Sequence, residues 1–277
     1  MPRNRGAIKE IAMAALETQG ISLHYELFGE SGKPPVMLIA GLGGTGASFG
    51  PQIQRFAKDQ FVVIPDHRGT GQSTRAKDGY SIAQHASDMA SLIEHLGIGP
   101  THLIGTSTGG AIAQLMTLDH AMRVRSITMS SSYARPDAYT RREFAVRRKV
   151  VEQFDPKTIF DLYALFLFSP DFTHREPKYV QDWIDRVAAR PPDKEIALKR
   201  IDMVMAHDAL ERLGGIAQPT LIICGDHDFC TPPHLSQEIA AAMPRARFEI
   251  LAGGGHMIHD ELEDLYFKIV SDFIDRH

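Results

Sequence analysis

Cysteines and long apolar runs are both scarce in this sequence. Only 2 of the 277 residues are cysteine, too few for a disulfide framework, and this predicts a reducing compartment. Apolar runs such as residues 36–40 are far shorter than the roughly 20 residues that cross a bilayer. The basic residues Arg3, Arg5 and Lys9 precede only a short apolar stretch at 11–16 with no typical cleavage site, so no signal peptide is predicted. We therefore expect a cytoplasmic protein without membrane contact.

An excess of positive charge is also missing. The chain has 30 basic and 34 acidic side chains, a net charge of -4, so it lacks the electropositive surface that binds nucleic acid. Its 43% hydrophobic content argues against intrinsic disorder. The length favours one large domain or one domain with an insertion. We expect a small-molecule substrate as the partner, and homo-oligomerisation stays open.

Strand-sized apolar runs alternate with longer amphipathic stretches. The runs are residues 36–40, 61–65, 102–106, 126–129, 220–224 and 247–251. Strands that are apolar on both faces and separated by helices are typical of a parallel sheet between helical layers. Residues 21–28 instead alternate apolar and polar, which predicts part of an antiparallel edge hairpin. The predicted fold class is therefore α/β, a mostly parallel central sheet flanked by helices.

The alternation stops after about residue 133. Helix-like segments broken by prolines follow without a convincing strand. We interpret residues 134–213 as a helical cap over one end of the sheet, and residues 1–133 and 214–277 as the core.

The predicted cap contains aromatic and leucine residues that could form an apolar roof over a substrate. They are Phe160, Leu162, Leu165, Phe166, Leu167, Phe168 and Trp183. The same spacing is also typical of core packing, so both interpretations stay open. The basic residues Arg141, Arg142 and 147–149 are expected to form a solvated helix face, with an arginine that reaches a substrate carboxylate as the alternative.

A Gly-x-Ser-x-Gly pattern occurs twice, at residues 105–109 and 46–50. Ser107 follows a predicted strand and precedes a predicted helix, the arrangement that exposes a nucleophilic serine above a sheet. Ser48 lies well beyond its strand and precedes Gly50-Pro51, so we expect it at a helix entry. Ser107 is the candidate nucleophile.

The glycine-rich segment 41–46 has two interpretations. It matches the Gly-x-Gly-x-x-Gly of a dinucleotide site, with Asp66 about 20 residues later. That site needs a helix that opens inside the glycine run, whereas Gly50 and Pro51 indicate a later start. The favoured interpretation is an oxyanion loop, whose exposed N–H groups also need the freedom of glycine.

A serine nucleophile needs a base, and the base needs an acid. His256 follows three glycines just before the last predicted helix, and Asp228 follows the strand at 220–224. Asp226 is the rival acid. Because the cysteines and histidines of residues 224–234 lack zinc-site spacing, we expect no metal.

Five motifs together carry a family resemblance. They are residues 41–44, 66–73, 105–109, 225–232 and 254–256. With them the sequence resembles the α/β-hydrolase superfamily, serine-nucleophile branch, over essentially its whole length.

The resemblance implies a role for each candidate. Ser107 is implied as nucleophile, His256 as general base and acid, and Asp228 as the orienting carboxylate. The backbone N–H groups of Leu42 and Thr108 are implied as oxyanion donors, and no cofactor is implied.

One position departs from the family pattern: Ala40 stands where a histidine commonly precedes the oxyanion glycine, Gly41. The departure puts the support of the oxyanion loop in question, not the reaction. Gly41, together with Phe166 and Trp183, is assigned to substrate binding.

The resemblance is closest to small esterases and enol-lactone hydrolases, which implies cleavage of a small carboxylic ester or lactone through an acyl-enzyme. Carbon-carbon or amide hydrolysis on the same triad is an alternative. Carbon-carbon hydrolases commonly carry tryptophan after the catalytic histidine, where this chain has Met257. A non-catalytic receptor with this fold is the other alternative.

Overall fold

One sheet of eight strands organises the computed structural model, which describes residues 10–277. Its strand order is β1-β2-β4-β3-β5-β6-β7-β8. The strands are β1 Glu10–Thr18, β2 Ile21–Phe28, β3 Pro35–Ile39, β4 Phe61–Pro65, β5 Thr101–Thr106, β6 Val124–Ser130, β7 Thr220–Gly225 and β8 Arg247–Leu251. Arg3, Arg5 and Lys9 lie outside the described residues.

The pairing of the strands confirms the predicted α/β class. β1 and β2 form the predicted antiparallel hairpin, and β2 also pairs antiparallel with β4. Every other neighbouring pair is parallel. Because β5, β6, β7 and β8 run in the same direction, the loops that follow them all begin at one edge of the sheet.

Within residues 10–277, eleven α-helices connect and flank these strands. They are α1 Pro51–Phe56, α2 Ile82–His95, α3 Thr108–Asp119, α4 Ala138–Gln153, α5 Pro156–Leu167, α6 Pro170–Arg175, α7 Pro177–Ala188, α8 Lys194–Ala206, α9 Pro233–Ala242, α10 Ile258–Glu261 and α11 Glu263–Ile274. No helix in the described range combines the length and apolar character that a bilayer span requires.

Helix starts follow local capping chemistry. The Ser81 hydroxyl accepts the N–H of Gln84 at 3.1 Å at the start of α2. Pro156, Pro170 and Pro177 stand at the first positions of α5, α6 and α7, where the missing proline N–H costs nothing. Pro170 therefore starts a helix that the proline pattern alone does not predict.

The sequence predicts one last helix over residues 260–274, but the structure has two, α10 and α11. The helical path breaks at Leu262, which has non-helical dihedrals of -121° and 45°. The Gln52 side chain donates to the carbonyls of His259 at 2.9 Å and Glu263 at 3.2 Å. These bonds give backbone groups at the break a partner.

Apolar side chains cover both faces of the sheet. In β3, Met37 and Ile39 belong to one buried cluster, and Val36 and Leu38 belong to the cluster on the opposite face. Successive side chains of a strand point to opposite faces. The core therefore has the helix-sheet-helix layering of a sheet buried on both sides.

Helices α4 to α8 lie between β6 and β7, and we call them the insertion. The insertion has its own apolar cluster and contacts the loop that follows β8. The Met257 N–H donates to the Leu167 carbonyl at 3.0 Å, and the Ser169 N–H donates to Glu261 Oε1 at 3.2 Å. The insertion is thus bonded to the sheet edge where the parallel strands end.

A buried ion pair braces the loop after β4. Arg68 Nε and Nη2 donate to the two Asp88 carboxylate oxygens at 2.9 and 2.8 Å. Both side chains are buried, so each charge depends on the other for compensation.

We expect Asp88→Ala to lower the free energy of unfolding by about 3–5 kcal/mol, because it leaves the Arg68 cation buried without its partner. Glu94→Ala is the matched control on the same helix. Glu94 is 69% exposed in its pair with Arg123, so its loss should cost less than about 1 kcal/mol. Urea denaturation measures both, and equal effects would contradict the prediction.

Candidate active site

Ser107 occupies a strained turn between β5 and α3. Its φ and ψ are 53° and -120°, a conformation that is rare outside glycine. A Cβ on Gly105 would lie 2.3 Å from the Gly109 carbonyl oxygen, and a Cβ on Gly109 would lie 2.0 Å from that of Ile39. The two glycines of the motif are therefore required by close packing of backbone around the serine.

Hydrogen bonds on either side hold this turn. The Ser107 N–H donates to the Ser130 carbonyl at 2.8 Å, and the Ser132 hydroxyl donates to the Ser107 carbonyl at 2.8 Å. These two hydrogen bonds hold the Ser107 backbone in its strained conformation. Strain of this kind persists at functional sites only where the surrounding structure holds it in place.

Asp228 lies on the loop after β7 and is buried. Its carboxylate accepts the N–H groups of Cys230 at 2.9 Å and Thr231 at 2.8 Å, and the Thr231 hydroxyl at 2.9 Å. His256 Nδ1 lies 3.0 Å from both carboxylate oxygens. Asp226 is exposed and accepts the Gly253 N–H at 2.7 Å. The structure thus brings His256 to Asp228 and not to the rival acid.

The surroundings of His256 raise the basicity of its imidazole. Burial lowers the pKa of this imidazole, but the Asp228 carboxylate and the Cys230 sulfur outweigh it, so the net pKa lies well above the ordinary 6.5. Because Asp228 engages Nδ1, Nε2 is the nitrogen left for proton transfer. In the described range, hydrogen bonds join His256 to Asp228 and Thr231 but not to Ser107. Ser107 lies at the same sheet edge because it follows β5, which runs parallel to β6, β7 and β8.

The loop after β3 approaches Ser107 closely. A Cβ on Gly41 would lie 3.2 Å from the Ser107 Cβ, and the Gly44 N–H closes a turn on the Gly41 carbonyl at 2.9 Å. Thr108 is the first residue of α3, where an N–H has no acceptor within its own helix. The N–H groups of Leu42 and Thr108 therefore belong to the two segments that flank the serine.

The same loop does not have the form of a dinucleotide fingerprint. No α-helix opens inside residues 41–46, and α1 begins only at Pro51. Ser48 lies in a short 3-10 helix, where its hydroxyl donates to the Thr45 carbonyl at 2.9 Å. No group of three or more His, Cys, Asp or Glu side chains in the described part of the chain is arranged to hold a metal.

The expectation of a solvated basic face on α4 is wrong for Arg147. Arg141 and Arg142 are exposed, but Arg147 is 4% exposed and pairs with Glu143 at 2.6 Å. Arg147 Nη2 donates to the Cys230 sulfur at 3.1 Å, two residues beyond Asp228. The Glu-Arg spacing of four puts both side chains on one helix face, but it does not indicate whether that face is buried.

Aromatic rings of the insertion divide into two groups. Trp183 is buried with its ring edge-on to Phe160 and Phe168, at centroid distances of 6.0 and 5.4 Å. Phe166 is half-buried, and its ring centroid lies 5.8 Å from the Arg147 guanidinium carbon. Trp183 thus packs inside the insertion, whereas Phe166 lies beside the arginine that contacts the loop of Asp228.

Comparison with known proteins agrees with the α/β fold. A family model described as "alpha/beta hydrolase fold" matches residues 34–262. A Caulobacter vibrioides protein named "Putative carbamate hydrolase RutD" is 35% identical over 238 residues, 84% of this chain and 88% of the relative. A protein of the same name from Azorhizobium caulinodans is 32% identical, covering 91% and 94% of the two chains. The crystal structure of the enol-lactonase from Burkholderia xenovorans LB400 superposes with a TM-score of 0.85 at 27% identity, covering 94% and 99%.

We expect the His256 imidazole to titrate above its ordinary pKa of 6.5. In Asp228→Asn the pKa of His256 should fall, because the carboxylate charge is lost while burial, which disfavours the imidazolium, remains. NMR of histidine labelled with ¹³C measures the pKa directly. Asp226→Asn is the matched control and should leave the titration of His256 in place; a shift in the control and none in Asp228→Asn would contradict the assignment.

Proposed function

Because the chain belongs to the α/β-hydrolase fold family and is a hydrolase, we propose that it cleaves a small carboxylic ester or lactone. The reaction passes through an acyl-enzyme on Ser107. His256 serves as general base and acid, and Asp228 as its orienting carboxylate.

The proposed first step forms the acyl-enzyme. As the Ser107 oxygen attacks the substrate carbonyl carbon, His256 Nε2 takes the hydroxyl proton and the carbonyl electron pair moves onto oxygen. The N–H groups of Leu42 and Thr108 donate to that anion. When the bond to the leaving group breaks, His256 returns the proton to it. Water then attacks the acyl carbon by the same sequence and releases the acid.

The observation that carries this proposal is the buried Asp228-His256 pair at the edge where Ser107 stands. Asp228 lies 3.0 Å from Nδ1, which holds the proton on Nδ1 and leaves Nε2 basic. The same carboxylate stabilises the imidazolium that forms when the serine is deprotonated. A hydroxyl is a poor nucleophile at neutral pH without such a base.

We propose that residues 134–213, which contain the insertion, form a substrate-covering cap. Its hydrogen bonds to the loop after β8 and to helix α10 support a location over the site. Phe166 and Gly41 are proposed to contact the acyl group. Trp183 is proposed to contact the substrate from the aromatic cluster of the insertion. Both cysteines are free and buried, which supports the proposed cytoplasmic location.

Carbamate cleavage is the second candidate function. It is favoured by relatives 30–35% identical to this chain that carry the name carbamate hydrolase. A carbamate carbonyl can undergo the same addition and elimination on a serine. The two candidates therefore share one site and differ only in the leaving group and the acyl substituent.

We expect Ser107→Ala to lower kcat on p-nitrophenyl acetate by about 10⁴-fold or more while the fold is retained, because the nucleophile is lost. Ser48→Ala is the matched control, since Ser48 stands in the other Gly-x-Ser-x-Gly pattern. It should keep the wild-type rate. Full turnover by Ser107→Ala would rule out the proposed nucleophile.

A panel that contains acetate esters, small lactones and a carbamate separates the two candidate functions. We compare kcat/KM for each compound with the wild-type enzyme and subtract the Ser107→Ala background. A carbamate turned over faster than every ester and lactone would establish the second candidate over the first.

For a butyrate ester, we expect Phe166→Ala to raise KM by about 10-fold, because a side chain that buries the acyl chain contributes about 1–3 kcal/mol. Leu165→Ala is the matched control on the adjacent residue. Leu165 is 68% exposed, so its truncation should leave KM unchanged. Equal KM values for the two variants would remove Phe166 from the proposed substrate contact.

A further inference from the structure

Arg200 of helix α8 is a buried cation at the oxyanion loop. It is 2% exposed, and no ion pair joins it to a carboxylate of the described residues. Burial lowers the pKa of its guanidinium to about 10, so the group stays charged at neutral pH. A charge in this situation has to be stabilised by hydrogen bonds alone.

Each N–H of the guanidinium has an acceptor. Nε and Nη2 donate to the Leu42 carbonyl at 3.1 and 2.8 Å, and Nη2 also donates to His67 Nδ1 at 3.2 Å. Nη1 donates to His85 Nε2 at 3.2 Å and to the Arg68 carbonyl at 3.4 Å. All five N–H donors of the arginine are thus directed at three segments. They are the oxyanion loop, the loop after β4 that contains His67 and Arg68, and helix α2, which contains His85.

Both imidazoles accept from Arg200, and therefore both are neutral. His85 Nδ1 lies 2.8 Å from the Ser81 carbonyl, which places its proton on Nδ1 and leaves Nε2 free to accept. Burial lowers the pKa of His85 to about 3 and that of His67 well below its ordinary value. The cluster therefore carries one positive charge, on Arg200.

The two peptide groups on either side of the Leu42 Cα are both held. The Gly41 carbonyl accepts the Gly44 N–H at 2.9 Å, and this fixes the peptide that contains the Leu42 N–H. Arg200 fixes the next peptide through the Leu42 carbonyl. The Gly44 carbonyl in turn accepts the Thr70 hydroxyl at 2.8 Å. Support for this loop, which Ala40 does not provide, therefore comes from the core through Thr70 and from the insertion through Arg200.

We infer that Arg200 is a positioning residue for the hydrolytic reaction. It holds the peptide that contains the Leu42 carbonyl, and so constrains the backbone dihedral angles at the Leu42 Cα that set the direction of the Leu42 N–H. It also places a positive charge behind the loop where negative charge develops. The inference rests on the proposed function of Ser107 and Leu42. It also implies that the loop is in its productive form only when helix α8 is seated on it.

The inference is tested by Arg200→Met and Arg200→Lys, with Lys199→Met as the control. Lys199 is the adjacent cation on α8 and pairs with Glu195 near the surface. For p-nitrophenyl acetate we expect Arg200→Met to lower kcat by about 10²-fold with KM within about threefold, as for loss of an oxyanion donor. Arg200→Lys should recover about tenfold of this, because it keeps the charge and one donor. Lys199→Met should match the wild type.

A second readout separates positioning from a general loss of structure. A phenylboronic acid forms a tetrahedral adduct with the serine that resembles the transition state, so its Ki should rise in Arg200→Met by the same factor as kcat/KM falls. A variant that is merely less folded would bind the boronic acid normally in its folded fraction, which thermal denaturation measures. Should Arg200→Met not fold, Arg200→Lys supplies the comparison.

The outcomes are distinct. Retention of kcat within twofold by Arg200→Met, or a fall in rate without a matching rise in Ki, overturns the role of Arg200. If Ser107→Ala is inactive in the same assay, the proposed function survives that result. If Ser107→Ala is fully active, the proposed function itself fails, whatever Arg200 does.

Discussion

A serine held at a φ of 53° between a strand and a helix is the constraint on which the rest of the site depends. The turn is tolerated only because Gly105 and Gly109 carry no Cβ where strand β3 and helix α3 come within contact of it. Those contacts also put the loop of residues 41–44 against the serine. The nucleophile and one proposed oxyanion donor are thus placed by the same packing of backbone on backbone.

The buried ionisable side chains Asp228 and Arg200 at this sheet edge are each compensated by several hydrogen bonds. Asp228 is satisfied by N–H groups, a hydroxyl and His256. Arg200 is satisfied by carbonyls and neutral imidazoles. Removing one member would leave its partners buried and unpaired, which costs more than the bond itself contributes. Such networks are rigid, as catalysis by preorganised dipoles requires.

Among the described residues, buried cations of the insertion reach the core in two places. Arg147 on α4 contacts Cys230 in the loop of Asp228, and Arg200 on α8 contacts the Leu42 carbonyl. The insertion therefore supplies more than an apolar cover, because its cations reach the loops of the proposed acid and the proposed oxyanion donor. A chain that lost the seating of these helices would lose polar contacts to both loops.

Local pattern by itself determined the strands at 61–65 and 247–251, the parallel sheet and the Ser107 turn, because apolar periodicity and glycine spacing act over a few residues. Motif order also singled out Asp228 and His256 as candidates. Only the tertiary structure decided that Asp228, and not Asp226, faces His256, since both stand on the same loop two residues apart. It also decided that Arg147 and Arg200 are buried while Arg141 and Arg142 are exposed. A basic residue has the same local signal on either face of a helix, and only the packing of one element on another determines which face meets water.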